Sequence, residues 1–156
     1  MFQANSAVQT IELAKKIGKL AKPGDVLVMT GDLGAGKTTF TKGIAEGLGI
    51  DQMIKSPTYT IIREYQQGRL PLYHMDVYRV TQGAEDLGLD DYFEGDGLTV
   101  VEWGNQLGEC LPIDYVELIM TKDATQVDTR YFELSAHGKR AAEFSAMIQR
   151  EWEKLK

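Results

Sequence analysis

Gly31, Asp32, Leu33, Gly34, Ala35, Gly36, Lys37 and Thr38 fit the pattern G-x-x-x-x-G-K-[ST] at every specified position. Glycines at this spacing let successive backbone N–H groups converge on phosphate oxygens, and a helix that starts at the lysine adds further donors and a partial positive charge. In such a loop Lys37 reaches the β and γ phosphates of a nucleoside triphosphate, where it is both a binding and a catalytic group. Thr38 offers its hydroxyl to a Mg²⁺ ion that bridges the same phosphates. Gly34, Ala35, Gly36, Lys37 and Thr38 are therefore candidate nucleotide-binding residues. The competing reading is a glycine-rich turn with no ligand and a solvated lysine.

A loop of this kind needs a carboxylate near the metal, at the end of a neighbouring strand. Glu102 ends the apolar run Leu98, Thr99, Val100, Val101, and Asp76 ends the run through Leu72, Tyr73, His74 and Met75. We assign Glu102 to Mg²⁺, directly or through water. Asp76 then orients or deprotonates the attacking water or holds a metal-bound water, the alternative being an ion pair with Arg79. Ser56, Pro57, Thr58, Tyr59 and Thr60 lie one helix beyond the loop, where switch segments sense a γ-phosphate; Ser56 and Thr58 are the switch-like candidates, against a plain start of a strand. His74 and His137 are not at metal-ligand spacing with each other and read as structural or exposed. Trp103 either stacks near the site or packs in the core. Residues 121–124, Thr-Lys-Asp-Ala, lack the aspartate of the guanine-reading N-K-x-D pattern, so ATP is expected rather than GTP.

These groups need strands that end together and a helix that starts at Lys37. Residues 25–30 hold the run Val26, Leu27, Val28, Met29, as expected of a strand covered on both faces. The pattern from 37 to about 48 is helical and closes at Gly47 and Gly49. Ahead of them Asn5 or Ser6 can cap a helix with Val8, Ile11, Ala14, Ile17 and Leu20 every three residues, ended by Pro23 and Gly24. Residues 58–65 and 70–76 flank a Gln-Gln-Gly-Arg turn and predict an antiparallel hairpin. Residues 115–121 and 129–136 predict a second. One or two short helical turns are expected within 81–97. Gly138 begins a final segment, 138–156, with Phe144, Ile148, Trp152 and Leu155 on one helical face. The fold class is α/β, with more hairpins than a regular βαβ repeat.

The chain has 156 residues, enough for one core, and is read as a single domain over 1–156. Its 23 acidic and 17 basic residues give a formal charge of −6, which argues against strong direct binding to nucleic acid or an anionic membrane. The lone Cys110 excludes an internal disulfide and a paired-cysteine zinc site. The N-terminal residues carry neither a signal-type nor a membrane-spanning apolar run, so a cytoplasmic location is expected.

Four blocks, GDLGAGKTT (31–39), KSPTYT (55–60), YHMDVYR (73–79) and VVEW (100–103), together resemble the TsaE (YjeE) family in order and spacing. These are small bacterial P-loop ATPases required for threonylcarbamoyladenosine (t6A) modification of tRNA, and the resemblance covers about residues 5–136. It implies a P-loop NTPase domain with a mixed parallel and antiparallel sheet and flanking helices, and ATP hydrolysis with Mg²⁺ as cofactor. It also implies partnership with the TsaB and TsaD proteins, and weak activity without them. It extends the nucleotide-binding loop through Thr39, gives Mg²⁺ to Thr38 and Glu102 and the functional aspartate to Asp76, and sets Thr58 in a switch-like segment. Arg130 resembles a late arginine close to the nucleotide. The chain departs from the family pattern after Trp103, where Gly104, Asn105 and Gln106 replace the usual Pro or Ala followed by Glu. The other readings are a small-molecule P-loop kinase, whose usual arginine-rich lid is absent from the pattern, and a nucleotide-switched adaptor without catalysis.

Overall fold

The computed structural model describes residues 1–32, 35–55, 57, 62–77 and 88–155, the side chains of Asn105 and Gln106 excepted. In chain order these form β1 (Phe2–Ala4), α1 (Ala7–Leu20), β2 (Val26–Gly31), α2 (Lys37–Gly47), β3 (Ile62–Tyr65), β4 (Leu72–Asp76), α3 (Leu89–Phe93), β5 (Leu98–Glu102), β6 (Tyr115–Lys122), β7 (Arg130–His137) and α4 (Lys139–Glu153). Tight 3-10 turns over Gly104–Cys110 join β5 to β6.

Among the described residues seven strands make one sheet in the order β1-β7-β6-β2-β5-β4-β3. The four central strands β6, β2, β5 and β4 are parallel, whereas β3, β7 and β1 pair antiparallel at the edges. Both expected hairpins are present, as β3–β4 and β6–β7, with residues 58–61 of the first lying outside the described residues. This arrangement gathers the C-terminal ends of β2, β4 and β5 on one edge of the sheet, the position at which open α/β sheets bind ligands.

Alternation along the central strands sends side chains to two cores. Leu27, Met29, Leu72, Leu98 and Val100 pack with Ile17 of α1, Phe40 and Ile44 of α2 and Ile148 and Trp152 of α4. Val26, Val28, Met75 and Val101 point the other way, onto Leu89, Phe93 and Leu107. Both faces are covered, which is why these strands read as continuous apolar runs. The ring of Phe132 links Phe40 and Trp152 at centroid distances of 5.5 and 5.7 Å, and Trp152 Nε1 donates to Leu13 O at 3.1 Å.

Ser6, rather than Asn5, caps α1: its Oγ accepts from Gln9 N, and Gln9 Oε1 in turn accepts from Asn5 N. The apolar stripe of α1 differs from the sequence expectation. Thr10, Leu13, Ala14, Ile17 and Gly18 are buried, whereas Val8 is 69% exposed. Steps of three residues fall about 60° short of a full turn, so a strict every-third pattern winds off the buried face. Leu155 similarly lies beyond the end of α4 and is exposed, while Phe144, Ile148 and Trp152 are buried as expected. β1 was not anticipated; at three residues it is too short to show a period, and it is held by pairing with β7. No helix among the described residues is long and apolar enough to cross a membrane.

Candidate functional site

The site is built where β2 gives way to α2. Gly31, the last residue of β2, has φ +123°, and a Cβ there would stand 2.0 Å from the carbonyl oxygen of Met120 on β6. Asp32 continues the seam: its N–H donates to Met120 O at 3.1 Å, and its Oδ2 accepts from Lys122 N at 3.0 Å. Gly36 caps α2 without a side-chain acceptor, and the first turn, Lys37, Thr38 and Thr39, carries no acidic residue. Main-chain N–H groups of a first helical turn lack intrahelical acceptors and favour an anion.

Lys37 is buried, at 6% exposure, which excludes a merely solvated cation. Its Nζ donates to Asp32 O at 2.8 Å and Gly31 O at 3.4 Å, and sits 4.7 Å from the ring centroid of Trp103. Burial pushes the ammonium below its ordinary pKa, opposed by the charges of Glu102, Asp32 and Asp76. One cation thus lies within electrostatic reach of both expected carboxylates.

Strand register explains the convergence. Glu102 is the cross-strand partner of Met29 on β2 and of Asp76 on β4. Past the strand ends Val77 N donates to Glu102 O and Trp103 N to Met29 O, so the backbone holds Asp76, Glu102 and Trp103 in place. Glu102 is buried at 6% exposure and Asp76 is half-buried. Trp103 has φ +64°, a left-handed conformation that is costly for a residue with a Cβ and that recurs at functional sites. It serves both readings offered by the sequence: it is partly buried against the smaller of the two cores, and its ring lies against Lys37.

Of the two sequence readings of His74, structural or exposed, the structure selects the buried one and sets it against Glu102. It is completely buried on β4, with Nε2 2.5 Å from Glu102 Oε2. The signal was present in the His-x-Asp spacing: residues two apart on a strand share a face, so His74 lies on the face of Asp76. His137, by contrast, stacks on Tyr115 at 4.4 Å, remote from the glycine loop in the sheet register.

Arg130 is brought to the loop and bound to main chain. Its Nε donates to Ala35 O at 2.8 Å, and its Nη1 donates to Val127 O and Thr129 O. With Ala7, Thr10, Gly36, Thr39 and Asp128, Ala35 and Arg130 line a cavity of about 110 Å³ beside the start of α2. Arg69 is occupied elsewhere, donating to the Gly18, Lys19 and Ala21 carbonyls at the end of α1. The expected roles of Gly34, Ser56 and Thr58, and the Asp76–Arg79 ion pair, lie outside the described residues.

The donors suit a hard divalent cation shared with phosphate. The Thr38 hydroxyl and the Glu102 carboxylate are hard oxygen donors of the type Mg²⁺ takes beside waters and substrate oxygens. Among the described residues no group of three or more His, Cys, Asp or Glu could hold a metal.

A family model described as threonylcarbamoyl adenosine biosynthesis protein TsaE matches residues 4–132. The chain is 52% identical over 132 residues to the tRNA threonylcarbamoyladenosine biosynthesis protein TsaE of Bacillus subtilis (strain 168), covering 85% of this chain and 82% of that protein. It is 40% identical over 117 residues to a protein of the same description from Nostoc sp. (strain PCC 7120), covering 72% of each. A crystal structure of Bacillus subtilis YdiB matches with a TM-score of 0.84 at 43% identity, covering 96% of this chain and 93% of that one. With a family model matched over residues 4–132 and relatives this similar in sequence and fold, the chain belongs to the TsaE family of threonylcarbamoyl adenosine biosynthesis proteins.

Proposed function

We propose that this protein is a Mg²⁺-dependent P-loop ATPase that serves t6A modification of tRNA together with TsaB and TsaD. The observation that carries the reading is the buried Lys37 ammonium at the mouth of the glycine loop, facing Glu102 and Asp76 across the ends of three parallel strands. A buried cation held by main-chain carbonyls is poised to exchange them for β- and γ-phosphate oxygens, which are stronger, charged acceptors.

In this account the first turn of α2 holds the phosphates, and Lys37 neutralises charge as the bond between the γ-phosphorus and its bridging oxygen breaks. Thr38 and Glu102 would hold the cation, which would supply Lewis-acid neutralisation of the phosphate charge. Asp76 orients the attacking water and accepts its proton, so that ADP and inorganic phosphate leave. Arg130 keeps the loop in shape by fixing the Ala35 carbonyl. The acidic composition agrees with tRNA being contacted by the partners.

Phosphate release from Mg·ATP by the purified chain, measured with and without the TsaB–TsaD pair, tests the reading. Stimulation by the pair is expected. Transfer of the γ-phosphoryl group to a metabolite in preference to water would instead assign a kinase, and nucleotide binding without turnover under either condition a switched adaptor.

A further inference from the structure

His74 is a buried polar side chain for which the ATPase account above has no role. Its Nε2 meets Glu102 Oε2 at 2.5 Å, and the pair joins adjacent parallel strands whose register sets His74 beside Val100, two residues before Glu102. A carboxylate only accepts, so the imidazole Nε2–H is the donor. Nδ1 is buried with no hydrogen-bond partner among the described residues. A proton there would be a buried donor left unpaired, whereas a bare ring nitrogen costs less, so the geometry selects the Nε2–H tautomer. The bond therefore points one way, from His74 to a single oxygen of Glu102.

We propose that His74 is a positioning residue: by holding Oε2, it fixes the rotation of the Glu102 carboxylate and leaves Oε1 as the one oxygen presented to the cation of a bound nucleotide. Carboxylate ligands are commonly held by such hydrogen bonds, and loss of the partner typically weakens metal affinity by roughly 10–100-fold. The surroundings argue for rigidity. His74 has 0% exposure and Glu102 6%, and the main chain of Glu102 is pinned on both sides by β2 and β4. The side-chain torsions of Glu102 are the remaining freedom, and the histidine removes it. The inference rests on the ATPase reading, because it concerns the metal that accompanies the nucleotide.

The test compares affinity for a non-hydrolysable ATP analogue in EDTA and in Mn²⁺, with Mn²⁺ binding followed by electron paramagnetic resonance, for wild type, His74→Leu and His74→Gln. Leucine fills similar space without a donor, while glutamine keeps an N–H at a comparable reach. His74→Leu is expected to bind the analogue in EDTA as wild type does and to lose about 10-fold or more of the gain conferred by Mn²⁺, with His74→Gln restoring most of it. An unchanged Mn²⁺ gain in His74→Leu overturns the inference. So does an equal loss of affinity with and without metal, the signature of a core-packing role, and so does a failure of His74→Gln to restore the gain. If wild type binds no nucleotide in either condition, the ATPase reading falls and the inference with it; if wild type binds but shows no gain with Mn²⁺, the inference alone falls.

Discussion

Replacement of Gly31 by alanine probes the seam that starts the glycine loop. The residue sits at φ +123°, a region essentially restricted to glycine, so a side chain there costs about 1–3 kcal/mol in backbone strain. The added Cβ would also lie 2.0 Å from Met120 O, where real Cβ atoms essentially never come within 3.0 Å, so the strand end must move by about 1 Å. That movement stretches the Asp32 N to Met120 O bond, worth about 1 kcal/mol. Strain and bond together put the loss of stability at about 2–4 kcal/mol. A displacement of about 1 Å at the loop is also enough to cost about 100-fold in turnover. Gly49→Ala is the control: it has φ +83° but open space within 4 Å of the new Cβ, so it pays the backbone strain alone, about 1–2 kcal/mol, and leaves the site in place. Urea denaturation and ATP turnover of both variants give the comparison. If Gly31→Ala were no less stable than Gly49→Ala and turned over ATP like wild type, the packing of the loop start against β6 would be refuted.

Asp76→Ala should bind ATP like wild type and lose about 10²–10⁴-fold in turnover, read from paired binding and phosphate-release assays; equal turnover would remove Asp76 from the chemistry. Trp152→Ala should lose about 3–5 kcal/mol in a denaturant titration, because it empties a fully buried position shared by α1, α4 and β7. Asp25 offers a pH test: burial raises its carboxyl above the ordinary range, with the Lys22 N–H and Arg140 opposing. The folded state therefore holds this proton more tightly than the unfolded chain, and the cost of burying the charge fades as pH falls through the raised pKa toward 3.8. Asp25→Asn should thus gain stability relative to wild type at neutral pH and lose that advantage in acid, measured by thermal unfolding across pH.

The chemistry-bearing motif was the most legible part of the molecule, because a strand, a glycine loop and a helix are contiguous in sequence and each has a local signature. The strand ending at Glu102 was equally clear: five residues covered on both faces leave an unbroken apolar run. What sequence hid was lateral. The bond from His74 to Glu102 depends on β4 lying beside β5 in one register, and no local pattern states which strands are neighbours. Arg130 was placed near the nucleotide by likeness of pattern alone, whereas its bonds to the Ala35, Val127 and Thr129 carbonyls follow from the β6–β7 hairpin curling back to the loop. The left-handed backbone of Trp103 has no composition signal, since such conformations usually announce themselves as glycine. The exposed Val8 shows the opposite failure, a pattern visible in sequence whose period was not quite that of the helix.

The central claim is that ATP is held at the glycine loop through Lys37. Titration calorimetry of Mg·ATP into the wild-type chain and into Lys37→Ala, with unfolding curves showing that both are folded, measures it directly. The account predicts saturable binding by wild type and its loss in the variant. Binding of equal strength in both, or none by the folded wild type, would contradict it.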